Sequence, residues 1–353
     1  MDTRQEAAAW TRTPKDQQWV KWGGGTGSPD TRFTRRDTAR IDTHLSHTTT
    51  SGATRLSSEL LGFSLEARVL LVNCDDMGMH TAVNTAVVDS VERGIASSCS
   101  LMTPCPAADH AMRLLSRRPE VPFGVHLTLV RDSRRHSWGP LAPRERVPSL
   151  LDDTGWFFVA TPEGRARLLA QARPEEIERE FRAQIEAVAA VGHAPTHLDF
   201  HCLADGGRDD ILDLTVALAA EYGLAVRVWL EPGCGKARRQ GLPVADNAFL
   251  DSFSLEAQDI EGKAARYAQL LSELPAGLSE WAVHPAIVDE EWRTIEPAGW
   301  RVRQSDHHFL TSDQAAEVLQ REGIDVIDYR PLQRVWSPAR DFASRPPSPN
   351  HRS

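Results

Sequence analysis

Short apolar runs alternate with helix-patterned segments from residue 68 to residue 328, and this alternation limits the fold more than any other property of the chain. Runs at 68–73, 97–102, 122–128, 196–200, 225–229, 281–284 and 324–328 have the length of buried strands. Helical patterns occupy 81–93, 107–116, 174–191, 209–222, 255–273 and 313–321, several opening on Ser, Thr, Asp or Pro in the first turn. Strands separated by helices of this length pair in parallel, so the pattern predicts an α/β fold. About seven such units predict a TIM-like parallel β/α barrel, distorted or incomplete, with a doubly wound open sheet as the alternative.

The barrel is expected to occupy residues 66–336 as one catalytic domain. Residues 1–65 are rich in Thr, Ser, Arg, Asp and Gly, include GGGTGS at 23–28, and show no sustained periodicity. They read as a disordered N-terminal extension or a mis-assigned start, with Trp10, Trp19 and Trp22 as partner anchors in a second reading. Residues 337–353 read as a second disordered tail.

A net charge of −9 with no long Lys/Arg run argues against nucleic acid or an anionic membrane as partner. The five cysteines, Cys74, Cys99, Cys105, Cys202 and Cys234, are odd in number and lack the paired spacing of a structural zinc site. No apolar stretch approaches the roughly 18 residues of a membrane span, and the N-terminus is polar. A soluble, cytoplasmic protein is expected.

Chemistry is expected at strand ends. The apolar run Arg68–Asn73 leads into Asp75 and Asp76, and adjacent carboxylates ask for a cation, a shared proton, or both. Three further polar clusters fall on later strands: His126, then His197, Asp199 and His201, then His284. Strand residues two apart share a face, so His197, Asp199 and His201 point one way while Leu198 and Phe200 pack oppositely. Two histidines and a carboxylate from separate strands, for example His126, His201 and Asp76, form a usual three-ligand set for a catalytic metal. The competing reading is a group of hydrogen-bonded core histidines.

The segments NCDDMG, GVHL, PTHLDFH, HPAIVD and RQSDHHFLTS, in this order between about Arg68 and Arg330, resemble the motifs of the YdjC-like carbohydrate deacetylases, which include the chitooligosaccharide deacetylases. The resemblance implies a TIM-like barrel, one divalent metal ion (magnesium or zinc), and removal of acetyl groups from N-acetylated sugars. It also implies that Asp76, His126 and His201 ligate the metal, that Asp75 is the general base, and that His284 is the acid or the electrostatic partner. This suits amide hydrolysis, which needs a strong nucleophile, stabilised charge on oxygen and a proton for nitrogen.

Asp199 is expected to orient a ligating histidine and His197 to bind substrate or structure its strand. Arg227, Arg303 and Asp306 resemble charged family positions that orient Asp75 or His284. His80, His307 and His308 read as exposed or structural. The sequence departs from the family at Leu203, where a further His is common, and at Cys74, Met77 and Cys202. Cys74 and Cys202 flank the expected site, but its ligand set does not require them. The long connection 131–162 carries Trp138, Trp156, Phe157 and Phe158, which form either a cover for sugar rings or a cap on the core. A metal hydrolase of another bond and a non-catalytic sugar-binding protein are the competing functions; a homodimer, the sugar and its chain length are left open.

Overall fold

The computed structural model describes residues 55–255 and 259–337. The expected extension and tail therefore lie largely outside the described residues, as do Trp10, Trp19 and Trp22.

Ten strands are described: β1 (Arg68–Met77), β2 (Ser98–Leu101), β3 (Phe123–Leu127), β4 (Val130–Arg131), β5 (Phe158–Val159), β6 (His197–Phe200), β7 (Ala225–Val226), β8 (Leu250–Asp251), β9 (Gly277–Val283) and β10 (Ile324–Val326). The helices are α1 (Ser57–Leu60), α2 (Thr81–Glu92), α3 (Ala108–Ser116), α4 (Pro162–Gln171), α5 (Pro174–Ala189), α6 (Asp209–Tyr222), α7 (Glu231–Arg239), α8 (Ile260–Ser272), α9 (Glu290–Ile295), α10 (Trp300–Leu310), α11 (Asp313–Glu322) and α12 (Arg330–Trp336). No helix among the described residues is long and apolar enough to cross a membrane.

Eight strands form one parallel sheet, seven in the order β7-β6-β3-β2-β1-β9-β8 and β10 paired to β1 off this path. Beside β1, β9 pairs along Arg68–Cys74; β10 pairs with Arg68–Leu70 and β2 with Asn73–Met77. Trp229, just beyond β7, and Phe249, just before β8, bring their rings to 4.5 Å. The sheet thus curls until its edges meet through side chains without being neighbours in the ladder, an incomplete barrel of the expected class.

Apolar strand residues such as Leu70, Val72 and Val125 are fully buried in the hydrophobic core, with Phe181 and Ile185 of α5 and Val83 and Val87 of α2. Buried polar residues also recur two apart on several strands: Asn73 and Asp75, Ser98 and Ser100, His197 and Asp199. A strand's period of two explains this division.

Several elements were not expected. The strand expected at 281–284 begins at Gly277, because Ser279 and Glu280 are buried despite their polarity. The strand expected at 225–229 ends at Val226, and the amides of Trp229 and Leu230 donate to Asp205 instead. The connection 131–162 holds β5, which pairs with β4. Near the expected domain boundary, the backbone amides of Ser57 and Ser58 in α1 donate to Asp246, so ordered contacts begin before residue 65.

Candidate active site

Consecutive strand residues point to opposite faces, so Asp75 and Asp76 would ordinarily diverge. The backbone of Asp76 takes a left-handed φ of 68°, beside a register irregularity between β1 and β2. Asp tolerates this conformation better than most residues. The turn returns the second carboxylate to the side where Asp75 already points.

Asp76 Oδ1 lies 3.1 Å from His201 Nδ1 and 3.4 Å from His126 Nε2. These three donor atoms lie within 4.8 Å of one another. Ligands about 2.1 Å from a shared cation stand about 3.0 Å apart at an octahedral edge and about 3.4 Å at a tetrahedral one. The donor set therefore fits a divalent cation. A second combination, Asp75, His126 and Asp199, is also close. There the Arg227 guanidinium already sits 2.9 Å from both carboxylates and supplies the positive charge.

Charge balance points the same way. Among the described residues, Asp75 and Asp199 pair with the guanidinium of Arg227 and Asp76 with that of Arg303, while Asp132 pairs with His201. Burial opposes protonation of His126, yet Asp199 and Asp75 push its pKa up to about 9. His201 is likewise driven well above the ordinary imidazole value against its burial, by Cys202, Asp132 and Asp76. Both shifts show that the surrounding carboxylates favour positive charge at these two rings.

Asp75 is held differently. Arg227 Nη1 and Nη2 each donate to one of its oxygens at 2.9 Å, and Asn73 Nδ2 donates at 2.7 Å. Burial raises this carboxyl, but Arg227 and His126 outweigh burial and hold it below its usual value. Asp76 is also raised by burial and then lowered further, well below the usual range, by Arg303 and both imidazoles. Arg303 Nη2 donates to Asp76 Oδ2 at 2.8 Å and Arg303 Nε to Glu296 at 2.5 Å.

His284 Nε2 lies 3.9 Å from Asp75 Oδ2, and its Nδ1 is 2.8 Å from Ser252 Oγ. Its backbone N–H donates to Asp306, which also accepts from Lys263 and Tyr267. His126 Nδ1 is 3.0 Å from Asp199 Oδ1, the geometry expected of an orienting carboxylate.

Asp75, Asp76, His126, His197, Asp199, His201, Arg227, His284, Arg303 and Asp306 lie in one connected network, though not in every expected pairing. Arg303 meets Asp76 rather than Asp75 or His284. His197 is fully buried, stacked 3.5 Å from the ring of Tyr329 and placed between Thr196 and Ser100, so it structures the strand. Burial drives its pKa down to about 3, which keeps it neutral. Cys74 is fully buried in the core, whereas Cys202 is exposed beside His201. Trp138, Phe157 and Phe158 are buried; Trp156 is half-buried beneath the Arg144 guanidinium. His80 caps α2 and His307 pairs with Asp89.

Asn73, Ser100, Asp132, Ser252, Glu280 and Glu296 also line this network. Period-two spacing before Asp75 marks Asn73; Asp132 and Glu296 lie on connections where no period applies.

A model of the YdjC-like protein family matches residues 69–321. The chain is 29% identical over 266 residues to a carbohydrate deacetylase of Thermoanaerobacter pseudethanolicus, covering 75% of this chain and 100% of that one. It is 31% identical over 271 residues to a carbohydrate deacetylase of Enterococcus faecalis, covering 74% and 97%. A crystal structure from Enterococcus faecalis V583, described as a "putative cellobiose-phosphate cleavage protein", superposes with a TM-score of 0.63 at 27% identity, covering 75% of this chain and 99% of that one. With the family match spanning both ends of the sheet and every cluster of the site, the chain belongs to the YdjC-like protein family.

Proposed function

We propose that this chain is a metal-dependent carbohydrate deacetylase that hydrolyses the acetamide of N-acetylated sugars or oligosaccharides. The observation that carries the reading is the three-donor cluster of Asp76, His126 and His201 beside a carboxylate and a histidine that it does not use, Asp75 and His284. The family relatives named carbohydrate deacetylases supply the substrate class.

A divalent cation held by Asp76, His126 and His201 would polarise the acetyl carbonyl and lower the pKa of water. Two imidazoles with one carboxylate favour zinc or another transition ion over magnesium. Asp75 accepts the proton of the attacking water. Its Arg227 clamp keeps it ionised and aimed, at some cost in basicity, and that cost is tolerable where the water is already acidified. His284, oriented by Ser252 and by Asp306 beneath its backbone, gives a proton to the departing amine. Water oxygen bonds to the carbonyl carbon, the carbon–nitrogen bond breaks, and acetate and a free amino sugar leave.

Metal analysis of the purified chain, coupled to acetate release from a panel of N-acetylated mono- and oligosaccharides, tests the reading. Release that depends on the metal is expected. Metal-loaded protein that binds these sugars and frees no acetate would instead be a sugar-binding protein.

A further inference from the structure

The two candidate ligand histidines face Asp76 through different nitrogens. His126 presents Nε2 and turns Nδ1 to Asp199, whereas His201 presents Nδ1 and turns Nε2 to Asp132 Oδ1 at 2.7 Å. An imidazole with a cation on one nitrogen must carry its proton on the other, and a carboxylate facing that nitrogen selects the tautomer and fixes the ring. Asp199 does this from β6, inside the barrel. Asp132 stands just beyond β4, on the long connection outside the barrel sheet.

We propose that Asp132 is a positioning residue that sets the Nε2–H tautomer of His201 and thereby makes cation affinity depend on the 131–162 connection. The inference rests on the metal reading above. The connection is built to hold Asp132 in place. Arg131, buried, donates to the His136 carbonyl at 3.0 Å and to Asp152 at 2.6 Å, and its own carbonyl accepts from the Ala160 amide. Trp138, also buried, packs edge-on to His201 with ring centroids 5.8 Å apart and closes the same side. Asp132 Oδ1 also lies 4.0 Å from Cys202 Sγ and forms a further candidate donor group with Cys202 and His201; its short contact to the Asp76 cluster is the one to His201.

Zinc affinity of the full chain, measured by competition with a chromophoric chelator, is the test. Asp132→Ala is expected to weaken Zn2+ binding about 10- to 100-fold. Asp132→Asn keeps an oxygen acceptor for Nε2–H and is expected to fall between that variant and the wild type. Asp152→Ala loosens the same connection through Arg131 without removing the carboxylate that faces His201, and is expected to weaken Zn2+ binding by less than Asp132→Ala; metal-free melting temperatures of all three report folding. Wild-type affinity in Asp132→Ala, or an equal loss in Asp152→Ala, overturns the assignment while leaving the metal reading intact. A wild-type chain that takes up no Zn2+ overturns both.

Discussion

Arg227 reaches from the end of β7 across the barrel to Asp75 on β1, with each terminal nitrogen 2.9 Å from a different carboxylate oxygen. The same guanidinium meets Asp199 and Glu280, so one side chain links three carboxylates of the barrel floor and aims the proposed base. Lysine cannot reproduce this fork. In Arg227→Lys, burial weighs more heavily on Asp75 and its pKa rises. The acid limb of kcat/KM should move to higher pH, with lower kcat; a pH–rate profile measures both. An unmoved limb would mean that another group titrates there.

Asp75 and Asp76 are neighbours with different proposed work, and matched amide substitutions separate them. Asp75→Asn should lower kcat about 10²- to 10⁴-fold with metal content retained. Asp76→Asn should lose metal affinity first, and because Asn tolerates left-handed backbone the φ of 68° is preserved. Metal content by mass spectrometry beside kcat distinguishes them, and the opposite pattern would exchange the two roles.

Metal uptake should expel protons. With His126 pushed up to about 9, metal-free protein at neutral pH must release that proton to bind. Apparent affinity should strengthen about tenfold per pH unit for each proton displaced, until pH passes 9. Stability of the metal-free chain follows the raised pKa. The contribution is fully present below the unfolded value of about 6.5 and is lost as pH rises through about 9. Its size is at most about 3 kcal/mol. Calorimetry in two buffers of different ionisation enthalpy counts the protons, and melting curves follow the stability.

Gly124 supports the site from beneath. A Cβ there would stand 2.5 Å from the His197 ring, which is fully buried against Tyr329 and cannot retreat. Gly124→Ala should cost about 1–3 kcal/mol, and displace His126 two residues on. A lowered melting temperature with weakened metal binding is expected; an unchanged one would mean that the His197 layer yields.

Where burial follows hydrophobicity, the sequence was readable. The runs at 68–73 and 122–128 became β1 and β3, and 209–222 became α6. Gly277–Val283 was half hidden because Glu280 is buried only through Arg227 and Tyr329, which arrive from β7 and from the turn before α12. The α10 helix carrying Arg303 and Asp306 was missed because both face inward as paired charges and break the expected apolar stripe.

The sequence by itself determined the parallel α/β architecture, the four polar clusters and their order, because strand and helix periods and side-chain chemistry are local properties. Only the tertiary structure decided how those clusters are wired. It turned Asp76 through a left-handed backbone to lie with His126 and His201, gave Arg227 to Asp75 and Arg303 to Asp76, withdrew His197 into the core, and brought Asp132 to His201. Each choice depends on which opposite charge is close enough to offset burial, and residues far apart in the chain meet only when the sheet curls.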